Sequence, residues 1–139
     1  MAVSTWKLRA TLGGALLLLT SCETAFVGDA PAGRYELVRV EGRALPFTRN
    51  VGGCSETVSG GHFDLDSIAR RFEMEVARSG SCPGAAALRE TGTYLRRGGT
   101  LTLETEGAAP RSLTAYESGR TISLGAGGLS LRFTRPATR

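Results

Sequence analysis

His62, Asp64 and Asp66 occupy alternate positions of the stretch SETVSGGHFDLD, a spacing that brings three side chains to one face of a β-strand. An imidazole and two carboxylates on one face can hold a cation. They can equally form the wet face of a strand whose inner side is Phe63 and Leu65, and that reading is favoured here. Histidine-assisted nucleophilic catalysis would have to use His62, the chain's single histidine, and no Gly-x-Ser-x-Gly elbow presents a serine. Gly125, Gly127 and Gly128 could cradle a phosphate only if a helix followed them; none is predicted, so they read as a hairpin turn. The chain is therefore expected to be no enzyme, with no catalytic residue, no metal and no cofactor.

The N-terminus has a short basic region (Lys7, Arg9), an apolar stretch from Leu12 to Leu19, and small residues up to Cys22. This is the order of a secretory signal, and the apolar stretch is well short of the roughly 20 residues a spanning helix needs. Leu19-Thr20-Ser21-Cys22 resembles the lipobox of bacterial lipoproteins. The resemblance implies a signal peptide over residues 1–21, a diacylglycerol on the Cys22 thiol and cleavage before Cys22. Acyl chains contribute about 0.8 kcal/mol per buried CH₂, and two or three of them anchor a protein stably. The implied location is the bacterial cell envelope, and Glu23 after the cysteine favours the outer membrane if the source is Gram-negative. With Cys22 lipidated, Cys54 and Cys82 remain, and an exported chain oxidises such a pair. The expected disulfide closes a loop of about 29 residues, worth roughly 3–4 kcal/mol.

Formal net charge is +4. Because Lys7 and Arg9 lie in the signal region, the mature chain is nearly balanced, and nucleic acid is not an expected partner. Residues 22–33 carry Gly, Pro and Ala without periodicity and read as a lipidated tether. The 11 residues from Glu23 to Gly33 reach about 36 Å when extended. Residues 34–139 form the single domain. Arg34 to Val40 is the first strand, and SETVSGGHFDLD is predicted as a hairpin turning at Gly60-Gly61, since adjacent glycines accept the positive φ of two-residue turns. Phe72, Met74 and Val76 alternate with Arg71, Glu73 and Glu75, giving one buried and one wet face. A further turn falls at Gly98-Gly99, with Tyr94, Leu101 and Leu103 inward. Three more strands carry the apolar sets Leu113 with Ala115, Ile122 with Leu124, and Leu129, Leu131 with Phe133. Ser79 to Ala87 is the expected irregular excursion. The fold class is all-β, an antiparallel meander of about eight strands closed into a barrel, which leaves no sheet edge exposed.

Gly33-Arg34-Tyr35-Glu36-Leu37-Val38, followed by Gly42 and Leu45-Pro46, resembles small bacterial lipoproteins with a lipocalin-like, or calycin-like, barrel. Gly92 to Leu103, Leu113 to Leu124 and Gly128 to Arg135 extend the likeness over nearly all of the domain. Lipocalins carry a Trp in the first motif and a late Arg packed over it; here the ring is Tyr35, with Arg132 or Arg135 as the partner. The candidates for lining an apolar pocket in such a barrel are Tyr35, Phe72, Met74, Tyr94, Leu103, Leu131 and Phe133, with Phe63 and Tyr116 as further aromatic candidates. An eight-stranded interior is either filled by its own side chains or holds one small apolar ligand. The expected function is that of a lipid-anchored, non-enzymatic envelope protein binding such a ligand. The alternative is an interaction or inhibitor module acting through rim loops near Gly60-Gly61 or Ser79 to Gly84.

Overall fold

The structure, a computed structural model, describes residues 32–137. The expected signal peptide, the expected lipidation site Cys22 and the expected tether up to residue 31 lie outside the described residues. Among the described residues, ten strands form one antiparallel sheet: β1 (Gly33–Val40), β2 (Arg43–Ala44), β3 (Phe47–Val51), β4 (Cys54–Asp66), β5 (Arg71–Gly80), β6 (Leu88–Arg97), β7 (Thr100–Thr105), β8 (Ser112–Ser118), β9 (Thr121–Ala126) and β10 (Leu129–Thr134). The order is β2-β1-β10-β9-β8-β7-β6-β5-β4-β3, and pairing of β1 with β4 closes eight of the strands into a barrel. The short strands β2 and β3 remain outside the ring and extend β1 and β4 at one mouth; the Leu45–Pro46 peptide between them is cis.

Alternation in the sequence becomes the inside and outside of the wall. Phe72, Met74 and Val76 point inward on β5, as do Leu101 and Leu103 on β7, Ile122 and Leu124 on β9, and Leu129, Leu131 and Phe133 on β10; each is no more than 4% exposed. The two-residue turn between β9 and β10 is Gly127-Gly128, both with positive φ (58° and 72°), as the sequence predicts.

The hairpin expected at Gly60-Gly61 is absent. β4 runs unbroken for 13 residues and pairs with β5 from Glu56 to Asp66, with a bulge between Val58 and Gly60. The glycines serve the bulge and a close approach. A Cβ at Gly61 would lie 2.5 Å from the Glu75 carbonyl oxygen, so the two backbones meet where a side chain cannot fit. The chain reverses instead at Ser67–Arg70. There Asp66 Oδ1 accepts hydrogen bonds from the N–H groups of Ile68 (2.9 Å) and Ala69 (3.0 Å), a side-chain turn built without glycine in which Arg70 takes a left-handed φ of 52°.

Barrel closure places Tyr35, of the first strand, beneath the end of the last. The Arg135 guanidinium carbon lies 5.2 Å from the Tyr35 ring centroid, and the same side chain donates to the Ala32 carbonyl. Of the two arginines the sequence offers, Arg135 is the partner; Arg132 faces outward. Burial, partly offset by Arg135, holds the Tyr35 phenol above its ordinary pKa.

The β1–β4 seam carries a further link. Arg34 grips Asp64 with two hydrogen bonds, Nε to Oδ1 at 3.0 Å and Nη2 to Oδ2 at 2.8 Å. The first of the causes that hold the Asp64 carboxyl below its ordinary pKa is hydrogen bonding to Arg34. A carboxyl whose folded pKa is depressed adds stability above its unfolded value, and that contribution is lost as pH falls through the folded value. Arg34→Gln is accordingly expected to lower the urea midpoint at pH 7 and to leave it unchanged only below the depressed folded value, where Asp64 is protonated in both states. An equal loss at both pH values would mean that Arg34 acts through packing instead.

Candidate functional site

Both carboxylates singled out for chemistry have a local task. Asp64 is held by Arg34, Asp66 caps the β4–β5 turn, and His62 Nε2 lies 3.6 Å from Asp64 Oδ2 on the outer face of β4. Among the described residues, no three His, Cys, Asp or Glu side chains are close enough to hold a metal ion.

The seven residues expected to line an apolar pocket all lie inside, none more than 8% exposed, and they belong to a single packed cluster. Phe63 sits at its centre, stacked on Phe72 with centroids 5.8 Å apart and tilted against Phe133 at 5.7 Å. Such ring pairs fill volume and add directional attraction beyond area burial. Tyr116 does not belong with them. It lies on β8 next to the inward Ala115 and is 62% exposed on the outer wall, because strand alternation gives the two residues opposite faces.

The most chemically distinctive concavity is at the mouth opposite the chain ends. It is a cleft of about 520 Å³ whose wall includes Arg49, Val51, Glu56, Arg78, Pro83 and the Cys54–Cys82 disulfide. Three strands turn charged side chains inward here: β3 supplies Arg49, β4 Glu56 and β5 Arg78. Glu56 Oε2 accepts a 2.7 Å hydrogen bond from Arg49 Nε, and its Oε1 lies 2.7 Å from Arg78 Nη2, off the line of a hydrogen bond. Arg78 Nη2 donates to the Gly84 carbonyl at 2.6 Å and Arg49 Nη1 to the Gly128 carbonyl at 3.2 Å, so the charges fasten two rim loops. Side-chain exposure is 4% for Glu56, 9% for Arg78 and 32% for Arg49. Two guanidiniums on one carboxylate leave the mouth a net positive charge. Buried Arg78 Nε has no hydrogen-bond partner among the described residues, a costly arrangement away from water.

The disulfide joins the start of β4 to the irregular stretch 81–87, as the cysteine spacing predicts, with S–S 1.97 Å and Cα–Cα 4.8 Å. Backbone bonds from Ser81 and Cys82 to the Ser55 carbonyl hold the same stretch. A Cys54→Ala/Cys82→Ala double variant is expected to lose roughly 3–4 kcal/mol in urea unfolding. A midpoint unchanged from the oxidised protein would show that those bonds suffice without the crosslink.

Sequence reasoning missed this charged mouth, although a signal was available. Arg78 continues the inward parity of Phe72, Met74 and Val76, and Glu56 shares parity with Val58. No family model matches the chain, and no curated protein or solved structure does either.

Proposed function

We propose that this chain is a non-enzymatic, lipid-anchored envelope protein with a lipocalin-like barrel that acts as a rigid stand for its charged mouth, where the 81–87 loop engages a partner protein. One observation supports this use of the mouth over a ligand held along the barrel axis. The side chains expected to line the ligand cavity are packed against one another, with Phe63 filling the space between Phe72 and Phe133. The cleft, by contrast, is open, carries the guanidiniums of Arg49 and Arg78 and is bounded by a loop fixed by a crosslink. Convergent polar groups in a concave, pre-formed surface are the usual marks of a recognition site. Support for the lipocalin likeness comes from the eight-stranded closure and from Arg135 over Tyr35.

The test is a photo-crosslinking residue placed at Val51, on the cleft wall, and separately at Thr114 on the outer wall, in cells of the source organism. A discrete protein adduct from Val51 and none from Thr114 is the expected result. Native mass spectrometry of the same protein decides the competing use. An extra mass that extracts into organic solvent, with no Val51 adduct, would overturn the partner reading in favour of an apolar ligand.

A further inference from the structure

The outer wall from β6 round to β1 carries a row of residues in direct cross-strand register: Arg97 opposite Thr100, Thr100 opposite Tyr116, Tyr116 opposite Ser123, Ser123 opposite Arg132, and Arg132 opposite Arg39. All six point away from the core. The neighbouring outward positions of β8, β9 and β10 are Ser, Thr and Gly, with no carboxylate. At one end of the row the wall dips into a cleft of about 270 Å³ lined by Arg39, Gly42, Ser123, Ser130, Leu131 and Arg132.

Two guanidiniums directly opposite each other repel, and such a pair destabilises a sheet unless something negative lies between. Neither Arg39 nor Arg132 forms an ion pair among the described residues. Arg39 Nη1 is steadied by the Gly42 carbonyl at 2.9 Å. Glu41, in the adjoining turn, spends its carboxylate on the Ser130 N–H at 2.6 Å, and Glu36 stands opposite Thr134, one step along the sheet. A tetrahedral oxyanion between two planar guanidinium forks meets donors of matching geometry, with the serine hydroxyls adding more. Tyr116 lies two strands from Arg132, about 10 Å at ordinary strand spacing, and offers an exposed ring face beside hydroxyl groups.

We infer that this wall binds a phosphorylated saccharide, with the phosphate held by Arg39 and Arg132 and the sugar ring extending across Ser123 to the edge of the Tyr116 ring. The site is separate from the mouth cleft and does not depend on the lipid anchor. Calorimetric titration of the full-length chain in detergent with glucose 1-phosphate, inorganic phosphate and glucose tests it. Glucose 1-phosphate should bind saturably and at least about tenfold more tightly than either of the others. Arg132→Gln should weaken it about tenfold or more, the scale of one lost charge-assisted contact. Tyr116→Ala should bring it down to the level of inorganic phosphate. Both side chains are on the surface, so unchanged thermal midpoints or, for Arg132→Gln, a raised one, will show that the variants fold; Arg39→Gln reads the same site independently.

The absence of saturable heat, equal affinity for glucose 1-phosphate and inorganic phosphate, or binding indifferent to both substitutions would each overturn the assignment. So would phosphatidylglycerol vesicles that displace glucose 1-phosphate at equal phosphate concentration, which would give the wall to lipid headgroups.

Discussion

Glu56→Gln is expected to destabilise the barrel by about 3–5 kcal/mol in urea unfolding at neutral pH, the range for removing one partner of a buried ion pair. The carboxylate is the common counter-charge of two inward arginines, and Arg78, at 9% exposure, cannot turn to water when it is lost. The amide also has only one acceptor oxygen to offer them. Arg49 is a third exposed and recovers part of its hydration, so most of the cost falls on Arg78. Replacing Glu56 and Arg78 together by Leu and Met should give back most of the loss, because an apolar pair carries no uncompensated charge. A single-variant loss below about 1 kcal/mol would mean that water enters the mouth and solvates the arginines.

Gly92→Val is expected to cost more than about 4 kcal/mol, or to prevent folding altogether, through the mechanism of an incompatible backbone approach. A Cβ at Gly92 would sit 1.9 Å from the Glu104 carbonyl oxygen, 2.9 Å from its carbon and 3.0 Å from the Phe72 ring. The obstructing atoms are main chain, held by the rungs Gly92 to Thr105 and Thr93 to Glu104, so relief requires breaking β6 from β7. Gly60→Ala is the matched control. Nothing lies within 4 Å of a Cβ there, and its midpoint should stay within about 0.5 kcal/mol of the parent. Equal effects from the two substitutions would contradict the steric account.

The same glycines mark where the sequence could and could not be read. Where each strand kept strict alternation, as in Phe72, Met74 and Val76 against their charged neighbours, the inner face followed from period alone. Gly60-Gly61 misled because a glycine pair serves equally as a turn or as a bulge with a close crossing, and only the position of β5 distinguishes the two. The true turn was announced by Asp66, whose side chain can cap a reversal, but that signal is weaker than two glycines. The strands β2 and β3 flank Leu45-Pro46 and are too short to show a period. The charged mouth stayed hidden for a related reason. The bulge between Val58 and Gly60 shifts the parity of β4, so Glu56 is out of step with Phe63 and Leu65 though it faces the same interior. The cysteine pair was legible because its chemistry needed only counting.

The order of the strands also bears on the time at which this barrel can exist. Every wall contact from β4 to β10 joins neighbours along the chain, so those hairpins can form as soon as their residues are available. The seam cannot. β1 pairs with β10 on one side and β4 on the other, and its partner Leu131 stands some ninety positions after Val40. Until the last strand arrives, β1 has an unpaired edge and Tyr35 lacks the Arg135 that covers it. A ribosome or translocation channel that still holds the final strand therefore holds an open sheet, and a chain cut short before Leu129 has no closed state to reach.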